Sequence, residues 1–575
     1  MIIDMKCFGL KNGGEQEATL AVFEALRACK SAGEPVQLVF PKGRFHFRPE
    51  HAAEKQLYIT NHDQGGTRKI AFHLNGHSNL TIDGQHSEFV FHGSIIPFAI
   101  NRASHITCRR FTIDWDRPMF DQGIVADACD RFFDIRLREG IVYEVCDGKL
   151  YFEFGNRMLP VWGLHEIDPK TMCHAYQSGD RLSWSSFKSL RIDESNPGVV
   201  RVSGNLRHIP KIGNWIGMRF GRRENPGFFL KNSSGIQIED VAVYHAQGMG
   251  LVAQRSENIT LQRFDVRLKP GTDRVFSATA DAVHFTNCRG LIRMEHCLFE
   301  NQLDDPCNVH GIYAKVEQVL SERTVVVKLM EKMTKGVEMA DAGDWMQAID
   351  PQSLLACGHA AEVESADLIN SDFQVIRFKE KRPEGLEPGR FLENRTWNPD
   401  LTVRHCTVRA NRARGFLITT PGRVVLEHNT ISAPGAAVKI SGDANSWYES
   451  GAVKDVTIRN NRFLASNYCC PDWGKAVIDI DPEIRHPELY ECYHSNIRIE
   501  NNVFETFDLG IVSGHSVDGF TFRNNRIIRT DDYSAHGYMK HSIELKAVRN
   551  VDIAGNEAPE EYRSILLGTE IHRLD

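Results

Sequence analysis

The chain has 575 residues, of which 42% are apolar and 25% charged, and its formal net charge is −7. This composition is typical of a globular protein and excludes intrinsic disorder and collagen-like repetition. The 68 Lys and Arg residues nearly balance the 75 Asp and Glu residues, which argues against a nucleic-acid binder with its basic surplus. No apolar run approaches the roughly 18 to 20 residues that a membrane-spanning helix needs. We expect no nucleic-acid or membrane partner, and a neutral small molecule or sugar as the ligand.

The N-terminal region predicts a capping helix and shows no secretory signal. A signal needs a basic start, an apolar block and a small-residue cleavage site, whereas residues 15–30 have the apolar spacing of an amphipathic helix. We expect this helix to cover the N-terminal end of the fold. As written, the chain is expected to be cytoplasmic, or secreted or periplasmic if a signal was removed.

The 14 cysteines are scattered along the chain, and only Cys469 and Cys470 are neighbours. They include no CxxC pair with the spacing of a zinc site. We therefore expect free, mostly buried thiols in a reducing compartment.

An eight-residue phrase recurs along the chain and predicts the fold. It has alternating apolar residues around a polar pair, and it begins at Ile236 and again 23 residues later at Ile259. Later copies with the same step begin at Leu401 and Val424 and at Ile497 and Phe520. Alternation predicts short strands, and strands recurring at this step indicate an all-β fold, a parallel β-helix. A β-sandwich is disfavoured, because its strands recur about every 8 to 12 residues.

An asparagine recurs near the middle of the phrase, at Asn429, Asn461, Asn502 and Asn525. Asparagine tolerates left-handed backbone and its side chain can hydrogen-bond to copies above and below. We therefore expect left-handed corners at these residues and an asparagine ladder between coils.

Two stretches lack the phrase, and their turn-rich alternating sequences predict small antiparallel β-barrels inserted between coils. The predicted organisation places an N-terminal cap and first coils in residues 1–118, and central coils in residues 216–311. The C-terminal coils occupy residues 398–575. The two inserted barrels occupy residues 119–215 and 312–397.

Three carboxylates stand out between the two insertions. Asp281 and Asp304 are 23 residues apart, so we expect them at equivalent places on adjacent coils, about 5 Å apart. Asp305 adds a third carboxylate, and because such close charges cannot all ionise, at least one pKa should be raised. A protonated carboxyl beside an ionised one is what glycoside hydrolysis requires. Solvated turns, or a calcium site completed by Asn308, are the alternatives, although no calcium-loop spacing is present.

These segments resemble glycoside hydrolase family 110, the α-1,3-galactosidases. The resemblance is carried by Asp281-Ala-Val-His and Asp304-Asp-Pro-Cys-Asn-Val-His-Gly, and by residues 244–254 and 441–451. It implies a right-handed parallel β-helix with inserted barrels, and exo-acting, inverting removal of terminal α-1,3-linked galactose without metal or cofactor. The implied substrates are group B-type or linear Galα1-3Gal ends. By position, Asp304 would be the general acid, and Asp281 and Asp305 would hold the attacking water as general base.

The substrate-binding candidates are side chains that could face the sugar. Galactose needs a planar apolar surface for its C–H face and polar groups for its hydroxyls, which Trp447 and Glu449 would supply on one loop. Trp115 is expected to pack beneath the first insertion instead. The further candidates are Gln254, His284, Asn308, His310, Arg222, Arg223 and His245.

Two other functions fit a β-helix with clustered aspartates. A polygalacturonase-like hydrolase would carry Gly-His-Gly and Arg-Ile-Lys, whereas this chain has neither, and its Gly514-His-Ser lacks the second glycine. A non-catalytic carbohydrate-binding β-helix, such as an adhesin, would not need the three aspartates for sugar turnover. The expected partner in the favoured interpretation is a galactose-terminated glycan or oligosaccharide, and the sequence leaves a homo-oligomer open.

Overall fold

Parallel strands stacked coil upon coil form the main body of the protein. The computed structural model describes residues 1–63 and 66–574. Ile236 lies beside Ile259 and Leu401 beside Val424 in the sheet register, so the 23-residue step of the sequence is one coil. The predicted all-β fold, a parallel β-helix with two inserted barrels, is confirmed.

Each coil contributes strands to three parallel sheets. Sheet 1 contains Thr67–Asn75, Ile96–Asn101, Phe228–Lys231, Leu251–Gln254, Val283–Thr286, the start of Cys307–Val319, Phe416–Ile418, Val438–Ile440, Ile478–Ile480, the starts of Val512–Arg523 and Ile543–Ala554, and Ser564–Leu567. Sheet 2 contains Ile2–Asp4, Val36–Val39, Ser78–Phe91, Ser104–Trp115, Ser234–Val243, Glu257–Val266, Arg289–Glu295, Asp400–Arg404, Arg423–Glu427, Asp455–Arg459, His494–Glu500 and the later parts of Val512–Arg523 and Ile543–Ala554.

Sheet 3 takes the second halves of the four long strands between Ser78 and Val266, together with shorter strands. These are Glu15–Glu17, Arg44–Phe47, Leu298–Glu300, Thr407–Arg409, Thr430–Ile431, Arg462–Leu464, Val503–Thr506 and Arg526–Arg529. Antiparallel additions at the edges are Ala53–Gln56, Glu449–Ser450 and Glu570–Arg573. Alternate side chains of all three sheets point inward, and they form one apolar core that runs the length of the solenoid.

The asparagine ladder is confirmed. Asn429 donates from its backbone N–H to Oδ1 of Asn461 at 2.9 Å, and Asn461 does the same to Asn502. The left-handed prediction was wrong by one residue, because the positive φ angles belong to the preceding positions, such as His428 at 57°. The tight corner is made one residue early, which turns each ladder asparagine inward, where its amide is buried and hydrogen-bonded.

The capping helix is shorter than predicted. It spans Thr19–Ser31, whereas Glu15–Glu17 forms a strand that pairs in parallel with Arg44–Phe47 in sheet 3. Pairing satisfies the backbone of this segment better than a further helical turn. The buried face of the helix, with Val22 and Leu26, packs against the first coils. Further short helices are Met5–Phe8, Pro49–His51, Trp184–Phe187, Lys332–Thr334, Pro487–Leu489 and Glu560–Tyr562.

The first insertion is an antiparallel, barrel-like sheet with its own apolar core. Its last strand extends beyond the predicted boundary at residue 215, because that strand pairs with both the first and the fifth strands of the sheet. The strands, in chain order, are Phe120–Ala128, Phe132–Leu137, Tyr143–Cys146, Lys149–Phe154, Arg157–Ile167, Leu190–Asn196, Val199–Gly204 and Trp215–Phe220.

The second insertion is a closed antiparallel barrel between residues 313 and 394, all of which the structure describes. It begins as a continuation of the sheet 1 strand Cys307–Val319, and each strand pairs with two neighbours around the ring. The other strands are Thr324–Leu329, Trp345–Ile349, Ala356–Leu368, Phe373–Phe378 and Phe391–Asn394. The strand that enters this barrel therefore leaves directly from the coil that carries Asp304 and Asp305.

All fourteen cysteines are free, and eight are buried. Burial raises the pKa of Cys29 to about 11, so this thiol stays protonated and behaves as a small apolar side chain. Within the described part of the chain, no helix combines the length and the hydropathy that crossing a bilayer requires.

Candidate active site

Asp281 and Asp305, rather than Asp281 and Asp304, take equivalent places on adjacent coils. In sheet 1, Val283 pairs with Cys307, which is a step of 24 residues and places Asp281 opposite Asp305. The predicted pairing with Asp304 was wrong, because the strand Arg289–Glu295 contains one additional residue at its start: Glu257 pairs with Arg289, whereas Ile259 pairs with Ile292. Asp304 therefore lies in the turn before Cys307, one residue before the position opposite Asp281.

Asp305 is held by the next coil. The register of Cys307 with Phe416 puts Arg414 directly beyond Asp305, and its Nη2 donates to Oδ2 of Asp305 at 2.7 Å. The backbone N–H of Arg414 donates to Oδ1 at 2.9 Å. Burial nevertheless raises the pKa of Asp305 to about 7, against the opposing charge of Arg414. Asp305 is thus fixed in orientation and can hold a proton near neutral pH.

Asp304 has the opposite electrostatic environment. Its carboxylate accepts hydrogen bonds from Arg223 and from Nη1 of Arg412, the latter at 3.1 Å. Burial alone would raise its pKa, but Arg412 and Arg223 outweigh burial and hold the pKa of Asp304 below its ordinary value. In the ligand-free protein Asp304 is therefore the ionised member of the three.

Asp281 ends a buried chain of hydrogen bonds through two histidines. His310 Nδ1 lies 2.6 Å from the carbonyl oxygen of Gly311, and since a carbonyl only accepts, this nitrogen carries a proton. With His310 neutral, its Nε2 accepts from Nε2 of His284 at 2.8 Å. The remaining nitrogen of a neutral His284, Nδ1, must then accept from Asp281 Oδ2 at 2.7 Å. With both imidazoles neutral, this chain of hydrogen bonds places a proton on Asp281.

The electrostatics of this chain agree with the geometry. Burial, followed by the charge of Asp304, raises the pKa of Asp281 to about 8. Burial also lowers the pKa of His284 well below its ordinary value. Both shifts place the shared proton on the carboxyl group rather than on the imidazole.

A cavity of about 310 Å³ lies over the three carboxylates on the outer face of sheet 1. Its lining includes Asn308, whose buried Oδ1 has no hydrogen-bond partner among the described residues, while its Nδ2 donates to Glu449 at 3.2 Å. Trp447, which is 42% exposed, lies on the rim of the same cavity. An unpaired acceptor, a fixed carboxylate and an exposed indole are groups that suit a sugar. This space is called the first cavity below.

A second cavity adjoins the first and extends toward the inserted barrel. Asp304 lines both cavities, together with Arg223, Arg414, Trp447, Asp472 and Trp473. Asp281 and Asp305 belong to the described lining of the first cavity alone. The second cavity continues along Asp180, Arg181, residues 183–186, Arg207 and Arg412. Asp304 therefore lies at the junction of two spaces.

Of the predicted substrate-binding residues, Asn308, Trp447, Glu449 and Arg223 line the first cavity. His284 and His310 do not, because both are buried beneath it in the chain that ends at Asp281. Their predicted contact with substrate was wrong, and their place is that of supports for the carboxyl group.

Three further candidates lie away from the described lining of either cavity. Gln254 is buried and binds backbone, accepting from the N–H of Thr60 at 3.0 Å. His245 is likewise buried, accepting at Nε2 from the N–H of Met119 at 3.0 Å. Arg222 is exposed on the outside, since its neighbour Arg223 is the one turned inward. Trp115 is fully buried, as expected, with its ring 5.7 Å from that of His245.

Arginines were the main omission of the sequence interpretation. Arg412 and Arg414 are more than 100 residues beyond the aspartates, and the second barrel separates them in the chain. When successive coils are aligned without the barrel residues, the loop Asn411-Arg412-Ala413-Arg414-Gly415 takes the place of Asp304 and Asp305 on the following coil. Only this alignment could have revealed them. Within the described residues no group of three or more His, Cys, Asp or Glu side chains is arranged to hold a metal.

Two family models match the two insertions. The family model "GLAA-B beta-barrel domain I" matches residues 122–216, and "GLAA-B beta-barrel domain II" matches residues 324–392. The crystal structure of the Agl-KA catalytic domain aligns with a TM-score of 0.44 at 10% identity, covering 99% of this chain and 68% of that one.

Full-length relatives decide the family. Alpha-1,3-galactosidase B of Bacteroides thetaiotaomicron is 36% identical, covering 97% of this chain and 91% of its own length. Alpha-1,3-galactosidase A of Shewanella woodyi is 32% identical, covering 96% and 90%. The chain belongs to glycoside hydrolase family 110. As a family 110 member it is an enzyme, a glycoside hydrolase.

Proposed function

We propose that the protein is an exo-acting α-1,3-galactosidase that hydrolyses terminal α-1,3-linked galactose with inversion, using Asp304 as general acid and Asp281 and Asp305 as general base. Family membership supports the galactosidase activity, since the relatives are named for that linkage. The position of Asp304 at the junction of the two cavities is the observation that carries the assignment of roles.

An inverting hydrolysis needs its two groups on different sides of the reacting bond. The acid must reach the glycosidic oxygen, which joins the terminal galactose to the rest of the substrate. The base must hold a water against the anomeric carbon, on the face opposite the leaving group. Galactose in the first cavity would put its glycosidic oxygen near Asp304 and its anomeric carbon near Asp281 and Asp305.

The charges of the free protein require one redistribution before the reaction. Asp281 and Asp305 hold protons near neutral pH and Asp304 does not. A bound sugar displaces water and takes hydrogen bonds from Arg223, which weakens the stabilisation of ionised Asp304. A proton passing to Asp304 from its carboxyl neighbours then creates the acid and the base together. The coupled cluster thus stores the proton that catalysis uses.

Recognition of galactose would rest on the lining of the first cavity. Trp447 would contact the C–H face of the ring, while Glu449 and the free Oδ1 of Asn308 would accept from its hydroxyls. The described lining includes nine carboxylates and four Lys or Arg side chains. Such a surplus of negative charge disfavours a uronate, and with it the polygalacturonase-like alternative.

One experiment tests the proposal. Purified protein is incubated with Galα1-3Gal, Galα1-4Gal and polygalacturonate, each with and without a chelator, and the released sugar is followed by NMR. We expect β-galactose as the first product, released from Galα1-3Gal alone and at the same rate with chelator. Release of α-galactose would refute inversion, and loss of activity with chelator would refute the metal-free reaction. Binding without cleavage would favour the adhesin alternative.

A further inference from the structure

The second cavity is bounded by a tryptophan that the first barrel supplies. Trp184 is the first residue of the short helix Trp184–Phe187, within the loop that connects the strands Arg157–Ile167 and Leu190–Asn196, and it is 41% exposed. Large exposed indoles are costly in solution and are enriched where proteins bind ligands. This loop approaches the carboxylates from a part of the chain more than 90 residues before them.

The backbone of the loop holds Trp184 in an unusual conformation. Its φ angle is +54°, which a bulky residue adopts only when surrounding contacts compensate the strain. The adjoining Ser183 supplies one such contact, since its hydroxyl donates to the carbonyl of Leu164 at 3.0 Å. Asp180 supplies another by accepting from Nε of Arg412 at 2.9 Å. The loop is therefore fastened both to its own barrel and to the β-helix.

Trp184 is supported on its edge and left accessible. Trp162 meets it edge-on, with the ring centroids 5.3 Å apart, and the guanidinium of Arg412 lies 5.8 Å from its ring. These contacts restrict rotation of the indole while 41% of the side chain stays in contact with solvent. A rigid, accessible indole beside a hydrolase site suits the apolar face of a sugar ring.

We infer that the second cavity binds the sugar residues on the reducing side of the cleaved galactose, with Trp184 as the surface on which one of those rings stacks. The inference rests on the proposed function and names its aglycone site. It follows from the geometry of the junction. When galactose occupies the first cavity, the rest of the bound substrate must extend past Asp304, and the second cavity begins there.

Two arginines supply hydrogen-bond donors to the same space. Arg181 and Arg207 line the second cavity, and neither forms an ion pair within the described part of the chain. Their guanidinium groups are free to donate to sugar hydroxyls at the far end of the cavity. The site thereby combines a stacking surface with donors, which favours an oligosaccharide over a compact or apolar aglycone.

Three substrates separate the aglycone from the galactose. Galα1-3Gal and Galα1-3Galβ1-4GlcNAc have aglycone sugars that would occupy the second cavity, whereas α-galactosyl fluoride has no aglycone sugar. For W184A we expect kcat/KM on both oligosaccharides to fall about tenfold relative to the fluoride, mainly through KM, as loss of an apolar contact worth about 1.4 kcal/mol produces. W184F should recover most of this loss. The control W345A removes a similarly exposed indole (48%) from the second barrel and should leave all three rates unchanged.

The outcomes distinguish this inference from the proposed function. The aglycone site would be overturned if the ratio of kcat/KM on the oligosaccharides to kcat/KM on the fluoride were the same in W184A and wild type. This includes the case in which W184A loses the same factor on all three substrates. If wild type hydrolyses none of them, the proposed function fails, and binding decides the inference by saturation-transfer NMR with Galα1-3Galβ1-4GlcNAc. Transfer to the two inner sugars that persists in W184A would then overturn it, and its selective loss would support it.

Discussion

Arg412 binds Asp304 with Nη1 at 3.1 Å and, through its other nitrogens, binds Asp180 of the first barrel. One side chain therefore joins the carboxylate at the cavity junction to the loop that carries Trp184. Because Arg412 is buried and its other carboxylate partner is on the barrel, the barrel and the charge of Asp304 are coupled. The first barrel is thus a structural component of the candidate active site.

The role of Asp304 as general acid is tested by the leaving group. In D304N we expect hydrolysis of Galα1-3Gal to fall by about 10²–10⁴-fold, because the departing sugar oxygen needs a proton. Hydrolysis of α-galactosyl fluoride should be far less affected, since fluoride leaves without protonation. The measurement is kcat/KM for both substrates.

The matched control for that experiment is the neighbouring carboxylate. D305N should lose activity on both substrates, because water must be activated whichever group leaves. Equal losses in D304N on the disaccharide and the fluoride would contradict the assignment of the acid.

The pH dependence of activity should follow the proton stored in the carboxylate cluster. The pKa of Asp281 is raised to about 8 and that of Asp305 to about 7, in both cases chiefly by burial. The cluster loses its last protons as the pH rises through this range, so kcat/KM for Galα1-3Gal should fall above about pH 8. The fluoride needs no acid, and its kcat/KM should not decline there. A parallel decline for both substrates would show that the falling limb reports something other than the acid.

The protonated state of Asp281 has a consequence for stability. An unfolded aspartate ionises near pH 3.9 whereas folded Asp281 does so at about 8, so its contribution to stability is full below about pH 4 and is lost as the pH rises to 8. The amide of D281N can donate to His284 as the carboxyl group does, without this loss. We expect D281N to be inactive but more stable than wild type by a few kcal/mol at pH 8.

The measurement is thermal unfolding of D281N and wild type between pH 4 and pH 8. The difference in Tm should be largest at pH 8 and should shrink toward pH 4. A D281N protein that is markedly less stable than wild type at pH 7 would mean that Asp281 is ionised and paired with a charged His284.

The asparagine ladder should contribute directly to the stability of the C-terminal coils. N461A leaves the backbone N–H and the side-chain amide of Asn429 without their shared acceptor. An unsatisfied buried donor costs about 1–3 kcal/mol, so a clear drop in Tm is expected. The exposed Asn205 provides the control, and N205A should unfold like wild type. Equal Tm values for N461A and wild type would show that water replaces the ladder.

The sequence by itself determined the β-helix, the places of both insertions and the cluster of three aspartates. Alternation of apolar residues is a local property, and a strand with one apolar face must bury it wherever it lies. The ladder asparagines were identifiable for the same reason, since each recurs at one place in a local phrase.

Only the tertiary structure decided which residues of that cluster meet. The 24-residue step in sheet 1, set by one additional residue at the start of the strand Arg289–Glu295, pairs Asp281 with Asp305. Arg414 and Trp184 reach the site from distant parts of the chain. Turn lengths and insertions set the register between coils without leaving a periodic signal, and burial then decides the charges. For this reason the carboxylates were predictable, while their protonation, their arginine partners and the burial of His284 and His310 were not.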